Sequence, residues 1–565
     1  MSLLGTLQIA NNSLIAMQVG LQVVGNNIAN ASTPGYTRQE VIYTPAPTQS
    51  IGTLTLGLGV QIEGIIQRTD RFVGERLRSA TSDLSNTGTQ KQIYLQLESI
   101  LGELTETDLS SSLNRFFSAI NDVVNQPEDP AVRNLAVLQG ESLSSDFQRL
   151  NARVRQIRSD ANELVVAAAD DINRLLEEIA NLNVQIVSME GTSTTASEAG
   201  GLRDQRDLAL GELAKLIAIR TAEQPHGSVT VFAGGDYLVL DGNARPVGVA
   251  YEEDRALSVA TIQIVDSDAP LEASSGQLAG AYTARDEILG SFLDELDAFS
   301  RDLMFEFNKV FSGGQGMTGF STVTGTYEAT DTDAPLDQAG LDFTPVNGSF
   351  QVQVRNKRTD VTTTTDIEVD LNGLDHDTTL ESLTAALDAV DGISAQIDSL
   401  GRLRLAADSA VLEFAFANDT SGALAALGIN TFFTGSMAGD MGVNATLKSD
   451  PSKFTASDGG IAANNNNAVA LAGLATARLE SLGERSLTEE YERFAGATFQ
   501  ASASIQAIHE GFDTFHKTLE GQHLGISGVN IDEQAVKMIQ YQRMYQASAR
   551  LISTINELLE MIVTL

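Results

Sequence analysis

Leu3, Leu7, Ala10, Leu14, Met17, Leu21, Val24 and Ile28 recur at alternating steps of four and three, a heptad seam that predicts one helix. At 1.5 Å per residue that helix is about 40 Å long. Its remaining positions, Gln8, Asn11, Asn12, Ser13, Gln18 and Gln22, are polar but uncharged. The C-terminus repeats the arrangement. Ile531, Met538, Tyr541, Tyr545, Ile552, Ile555, Leu559 and Ile562 lie on one heptad frame, with Gln534 and Ser548 as polar members. Two matching seams at opposite ends of one chain predict that the terminal helices pair as a coiled coil.

Between the ends the periodicity changes several times. Residues 41–66 look extended, and a helical pattern begins near Asp70. A long helix is expected through Leu143, Phe147, Leu150, Val154, Ile157, Ala161, Leu164, Ala168, Ile172, Leu175, Ile179, Leu182, Ile186 and Met189, with a stutter near Ala168. "EGTSTTASEAGG" (190–201) reads as a turn, and helix resumes through "LRDQRDLALGELAKLIAI". "SVTVFAGGDYLVLDG" (228–242) reads as a hairpin, with strands continuing to about Val265 and helix over 289–311. From 313 to about 455, "TDIEVDLNG", "LESLTAALDAV" and "GRLRLAADSAVLEFAF" suggest strand, helix and hairpin. "NNNN" (464–467) reads as a loop before the last helical stretch.

The expected fold is therefore mainly α with β insertions. The paired terminal helices continue into a long helical rod, and β-rich outer domains are inserted into it. Four parts are expected: a terminal coiled-coil core (1–37 with 529–565), a helical rod (38–220 with 277–312 and 456–528), a small β-rich insert (221–276) and an outer β-rich domain (313–455).

Composition sharpens this picture at the N-terminus. The first charge in the chain is Arg38, and at 19% charged residues a run of 37 without one arises by chance about once in a few thousand trials. Surface helices are normally laced with Lys and Glu, so this helix reads as one built to be enclosed by protein. Over the whole chain the formal charge is −38, which disfavours nucleic acid and anionic lipid as partners. No run of 18 apolar residues predicts a membrane span, and no basic n-region marks a cleavable signal. Cysteine is absent, which rules out disulfides and thiolate metal sites.

Motifs that suggest chemistry fail on context. "GQGMTG" (Gly314, Gly316, Gly319) follows a helix and precedes strand-like sequence, the reverse of a dinucleotide loop. "HEGFD" has Asp513 where a zinc protease needs its second histidine. His509, His516 and His523 are seven apart, too far along a helix to share one ion, and read as solvated. "EVDLNGLDHDTT" places Glu368, Asp370, Asn372 and Gly373 as in a calcium loop, but Thr379 stands in place of the closing glutamate. No catalytic, cofactor or metal residues are assigned, and no enzyme activity is expected.

The seam helix ends in "NNIANASTPGYTRQ" (26–39). Pro34 and Gly35 suit the centre of a type II turn, and Asn26, Asn27 and Asn30 can bond local backbone. The longer string "GNNIANASTPGYTRQ" resembles the N-terminal signature of the flagellar axial proteins (rod, hook and hook-associated). "SGVNIDEQAVKMIQYQRMYQASARLISTINELLEMI" (527–562) is similar to their C-terminal signature. "GVQIEGIIQRTDRFV", "GLRDQRDLALGELAKL", "SGQLAGAYTARDEILGSFLDELDAF" and "LGINTFFTG" resemble the hook-associated branch that joins hook to filament; the likeness is weakest across 313–427.

That resemblance implies a structural protein of the bacterial flagellum, exported unfolded by the flagellar type III apparatus without a cleaved signal, and therefore extracellular. The implied partners are further copies in a ring, the hook protein, a second junction protein and an export chaperone on the C-terminal helix. Another axial protein, such as a hook or filament subunit, and an adhesin or enzyme carried in 313–455 are the alternatives. The assembly interface expected on this reading comprises Leu3, Leu7, Leu14, Met17, Leu21, Val24, Ile28, Asn26, Asn27, Asn30, Pro34, Gly35 and Tyr36 with Met538, Tyr541, Tyr545, Ile552, Ile555, Leu559 and Ile562.

Overall fold

The computed structural model describes residues 3–51, 54–102, 109–191, 197–374 and 376–564. The chain is mainly α with β insertions. Helices α1 (Leu3–Ala29), α2 (Arg71–Gly102), α3 (Leu109–Asn125), α4 (Pro130–Gly191) and α5 (Gly200–Leu216) occupy the first part, with strands β1 (Gln39–Pro45), β2 (Thr48–Ile51), β3 (Leu54–Gly57) and β4 (Val60–Gln67) after α1. The insert then supplies β5 (Arg220–Glu223), β6 (Val229–Ala233), β7 (Asp236–Leu240), β8 (Asn243–Ala244), β9 (Val247–Asp254), β10 (Leu257–Ile264) and β11 (Ala269–Pro270). Helix α6 (Gln277–Tyr282) leads through a π-helical turn (Thr283–Ile288) into α7 (Leu289–Ser312), so helix returns earlier than position 289.

The outer segment holds β12 (Thr322–Thr324), β13 (Gly348–Asn356), β14 (Thr362–Val369), α8 (Leu380–Asp388), β15 (Ile393–Ile397), β16 (Leu403–Ala407), β17 (Leu412–Ala417), α9 (Ala423–Ala426), β18 (Phe433–Thr434), β19 (Gly442–Val443) and α10 (Ala445–Ser449). Helices α11 (Asn466–Gly473), α12 (Leu487–Ser527) and α13 (Ile531–Thr564) close the chain.

The chain divides into two compact units. The first comprises Met1–Ile93, Ser159–Arg285 and Ala503–Leu565; the second comprises Tyr94–Arg158 and Asp286–Ser502. In the first unit the C-terminal half of α4 packs with α5 and strands β6 to β10 around Ile172, Leu176, Leu213, Val231 and Ile262. Three asparagines on α4, at positions 162, 173 and 183, fasten the β insert to that helix. Their spacing of eleven and ten is close to three helical turns, which keeps them on one face. Each amide engages strand backbone as another strand would. Asn162 accepts from Ala260 N and donates to Ser258 O; Asn173 does both with Val247; Asn183 does both with Val229 and also donates to Asp241 O.

The second unit has two cores of different character. A phenylalanine cluster joins α3, α7 and the 432–454 segment, with ring centroids of Phe116, Phe307 and Phe432 5.2–5.4 Å apart. Gly140 of α4 completes the fit, since an added Cβ would lie 2.5 Å from the Phe432 ring. The outer segment has its own core around Phe350, Ile367, Leu383, Leu405 and Phe416, between the sheets β14-β13-β17 and β12-β16-β15.

Several expectations need correction. The hairpin expected in "GRLRLAADSAVLEFAF" does not form: β16 pairs with β15, whereas β17 crosses to β13 in the other sheet. The physical reason is that Glu413–Ala417 are buried on both strand faces, which a two-stranded ribbon cannot provide. On α4, Leu164 and Met189 are exposed, and Val165 takes the core position next to Ala161. The stutter is thus centred on Ala161, about two turns earlier than expected. In the NNNN run, Asn466 and Asn467 already belong to α11, and non-α segments separate α11 from α12. Within the expected 190–201 turn, residues 192–196 lie outside the described residues.

Candidate assembly surfaces at the chain ends

The two terminal helices pack antiparallel in register. Asn27 Nδ2 donates to Gln534 Oε1 at 3.1 Å, and Ser548 Oγ donates to Ser13 Oγ at 3.1 Å. Between them Gly20 faces Tyr541, where a Cβ would approach the ring to 3.1 Å and the Tyr43 hydroxyl to 2.7 Å. Contacts at 27, 20 and 13 on α1 thus meet 534, 541 and 548 on α13, seven residues apart on both helices. This is heptad packing with small and polar layers at its centre. Tyr43 donates to Ala16 O at 3.3 Å. Burial, reinforced by the Tyr541 hydrogen bond, pushes its phenol above the usual range.

The turn after α1 is a closed hydrogen-bond system. Asn27 Oδ1 accepts from Gln39 N at 3.0 Å while its Nδ2 donates to Gln39 O at 2.9 Å, so one side chain extends the edge of β1. Tyr36 Oη donates to Asn27 Oδ1 at 2.8 Å, and Asn30 Nδ2 reaches back to Asn26. Tyr36 N donates to Thr33 O at 3.2 Å with Gly35 at φ +74°, as the Pro-Gly pair requires of a type II turn. Gly35 is also needed for space, because a Cβ there would lie 2.6 Å from the Leu208 side chain of α5. Thr37 N donates to Asp204 Oδ1 at 3.2 Å, and Gln67 Nε2 donates to the same oxygen at 2.7 Å. Burial, then the Asp204 charge, pushes the Tyr36 phenol up to about 12. Arg38 ties this turn to the other chain end, with its N–H on Ser527 O and its guanidinium on Ile526 O and Glu533.

The expected interface residues fall into three groups. Met17, Val24, Asn27 and Ile555 are buried within the chain. Leu3, Leu7, Leu14, Leu21, Ile28, Asn30, Tyr36, Met538, Tyr541, Tyr545, Ile552 and Leu559 are half-buried. Asn26, Pro34, Gly35 and Ile562 are exposed. The deepest face of α1 also includes Ala16, Gly20 and Val23, each one position before a seam residue (Met17, Leu21 and Val24), so the buried face is rotated from the expected seam. Asp204 and Gln67 were likewise not singled out. Nothing local in the sequence marks them as neighbours of the 33–37 turn.

The three histidines are half-buried rather than free on the surface. His509 Nδ1 lies 3.2 Å from Thr87 Oγ1 and His516 Nε2 lies 3.1 Å from Thr81 Oγ1, both across to α2. Burial lowers the pKa of His523. In the calcium-like stretch Glu368 lies in β14, and Thr379 caps α8 in a reciprocal capping box with Ser382. No group of three or more potential metal ligands occurs among the described residues, nor is any described helix long and apolar enough to cross a membrane.

Three family models match the chain: the flagellar hook-associated protein FlgK helical domain over 94–325, the flagellar basal body rod FlgEFG protein C-terminal over 520–565, and the flagella basal body rod protein over 7–37. All three are models of flagellar components, matched at both ends and across much of the middle of the chain. Flagellar hook-associated protein 1 of Salmonella typhimurium is 24% identical over 98% of each chain, and that of Escherichia coli strain K12 is 25% identical over 98% of each. The chain is thus similar to flagellar hook-associated protein 1 over nearly its whole length, and these matches support a structural role in the flagellum. The flagellar hook junction protein FlgK of Burkholderia pseudomallei superposes with a TM-score of 0.49 at 14% identity, covering 80% of this chain and all of that one.

Proposed function

We propose that this protein forms the ring that joins hook to filament, and that it polymerises through α1 and α13 after export by the flagellar type III system. The observation that carries this reading is the state of the terminal pair. Most of its large apolar seam residues are only half-covered within one chain. Residues 1–37 and 529–565 together hold three basic and four acidic residues, out of 36 and 74 in the chain. Packing many copies of a strongly acidic protein costs repulsion, and that cost is smallest where the net charge is close to zero.

The neutral polar positions then pair across several contacts, and the half-covered seams are completed by neighbouring copies, the hook protein and a second junction protein. A chaperone that covers the exposed side of α13 before export would keep free copies apart. The four-part division expected from the sequence then acquires roles: terminal core for assembly, rod and inserts for the outer wall.

The test is a strain that lacks the protein. Intact hooks with filament subunits shed into the medium are expected; missing hooks would instead make the protein a hook subunit. Deleting 313–455 should leave incorporation intact if that block acts separately, and removing both chain ends should abolish it.

A further inference from the structure

The calcium-like stretch after β14 contains Asn372–Gly373, one of two Asn-Gly pairs in the chain. Asparagine is among the chemically labile residues. Its side-chain carbonyl carbon is open to attack by the backbone nitrogen of the next residue, and glycine at that place hinders the attack least. The reaction calls for a base at the nitrogen and a donor at the oxygen that becomes charged, and the loop supplies both. Gly373 N donates to Asp377 Oδ1 at 3.1 Å, so a carboxylate faces the proton that the nucleophile must lose. Leu374 N donates to Asn372 Oδ1 at 2.8 Å, so an N–H faces the oxygen on which charge develops. Asn372 and Gly373 are both exposed, and a Cβ at Gly373 would meet nothing within 4 Å, which leaves room for a ring.

The second pair, Asn347–Gly348, is held differently. Gly348 belongs to β13, opposite Val369, and a Cβ there would lie 2.8 Å from Thr420 Oγ1, so the sheet fixes the nitrogen that would attack. We propose that Asn372 is a self-modifying site, converted through a succinimide to aspartate and isoaspartate with Asp377 as the general base. The Gly373 proton passes to Asp377 as the bond from Gly373 N to Asn372 Cγ forms and an electron pair moves onto Oδ1. When the carbonyl re-forms, the Cγ–Nδ2 bond breaks, and the nitrogen leaves as ammonia with the proton returned from Asp377. Water then opens the ring at either carbonyl, so asparagine and water become an acidic residue and ammonia. The product changes the loop in two ways. A new carboxylate joins Glu368, Asp370 and Asp377 in one short stretch, and the isoaspartyl form adds a methylene to the main chain ahead of the Thr379 cap of α8.

The test uses the full-length protein, incubated at neutral pH and then digested with trypsin. Cleavage after Lys and Arg puts Asn372 in the peptide 359–402 and Asn347 in 310–355, each as the sole asparagine. Peptide 359–402 should gain the mass of an amide-to-acid exchange and become a substrate for an isoaspartyl methyltransferase. Peptide 310–355 should stay unchanged, which also shows that the fold is intact, since unfolding would free both asparagines. Asp377→Asn keeps a hydrogen-bond acceptor but removes the base, and should slow the conversion at least about tenfold. Asp377→Glu restores a carboxylate and should recover much of the rate. An equal or faster rate in Asp377→Asn would make Asp377 a mere restraint on Gly373 and overturn the proposal. Equal conversion of the two peptides, or conversion of neither, would overturn it as well.

Discussion

The phenylalanine cluster of the second unit and the α1–α13 pair are both helical contacts, yet they are built oppositely. Phe116, Phe307, Phe311 and Phe432 are at most 2% exposed and pack ring on ring, while buried Asn308 and Thr455 satisfy the backbone at Phe432, Phe433 and Phe311. The terminal pair puts Asn27–Gln534, Gly20–Tyr541 and Ser13–Ser548 at its centre and leaves its leucines half-covered. Burial of large apolar surface is what stabilises a chain by itself. Small and polar layers instead specify a partner and a register at the expense of stability. One region is finished within a single chain, and the other is suited to be finished by neighbours.

Four measurements sharpen or break that contrast. The largest effect is expected from Phe307→Ala, which leaves a cavity and should destabilise the second unit by about 3–5 kcal/mol in urea denaturation. A loss below about 1 kcal/mol would show that the cluster is not the stabilising core. Next, Asn183→Ala strands the N–H and C=O of Val229 and the carbonyl of Asp241, and should cost about 2–3 kcal/mol. Amide exchange should quicken in β6 and β7 before it does in α4. Uniform acceleration would argue against the asparagines as local fasteners.

A smaller effect depends on pH. Burial, with Glu306 and Glu490 adding to it, pushes the Asp302 carboxyl up to about 6. The folded state then binds a proton that the unfolded chain releases near pH 4, so this stabilisation is complete below pH 4 and lost as pH rises to 6. Asp302→Asn should raise the Tm at pH 7 by about 2–4 °C and leave it unchanged below pH 4. Parallel Tm curves for variant and parent would remove the effect. The smallest change is expected from Ser13→Ala with Ser548→Ala, under about 0.5 kcal/mol in the free protein because the pair is only half-enclosed. Incorporation into flagella should nevertheless fall, since assembly buries that layer. Equal incorporation would mean that the serine layer sets no register.

The terminal helices were legible because a heptad signal is local: side chains three and four apart share a face whatever the rest of the chain does. The Pro-Gly turn was legible for the same reason, through fixed backbone preferences at Pro34 and Gly35. The hairpin expected over 401–416 shows the limit. Two adjacent β-prone runs look like a ribbon, and only the burial of both faces of Glu413–Ala417 sends β17 to β13. The histidines show it again, since Thr87 and Thr81 lie more than 400 positions away in the chain.

The sequence by itself determined that one uncharged and one near-neutral seam helix stand at the ends of a chain otherwise rich in acid, because charge and periodicity are properties of the residues alone. Tertiary structure decided the rest. It showed the seams running antiparallel, with Gly20 against Tyr541. It also placed Asp204 and Gln67 under the 33–37 turn and sent three distant asparagines into the backbone of an inserted sheet. Those are contacts between segments far apart in the chain, and no local preference encodes which of many polar groups a side chain will meet.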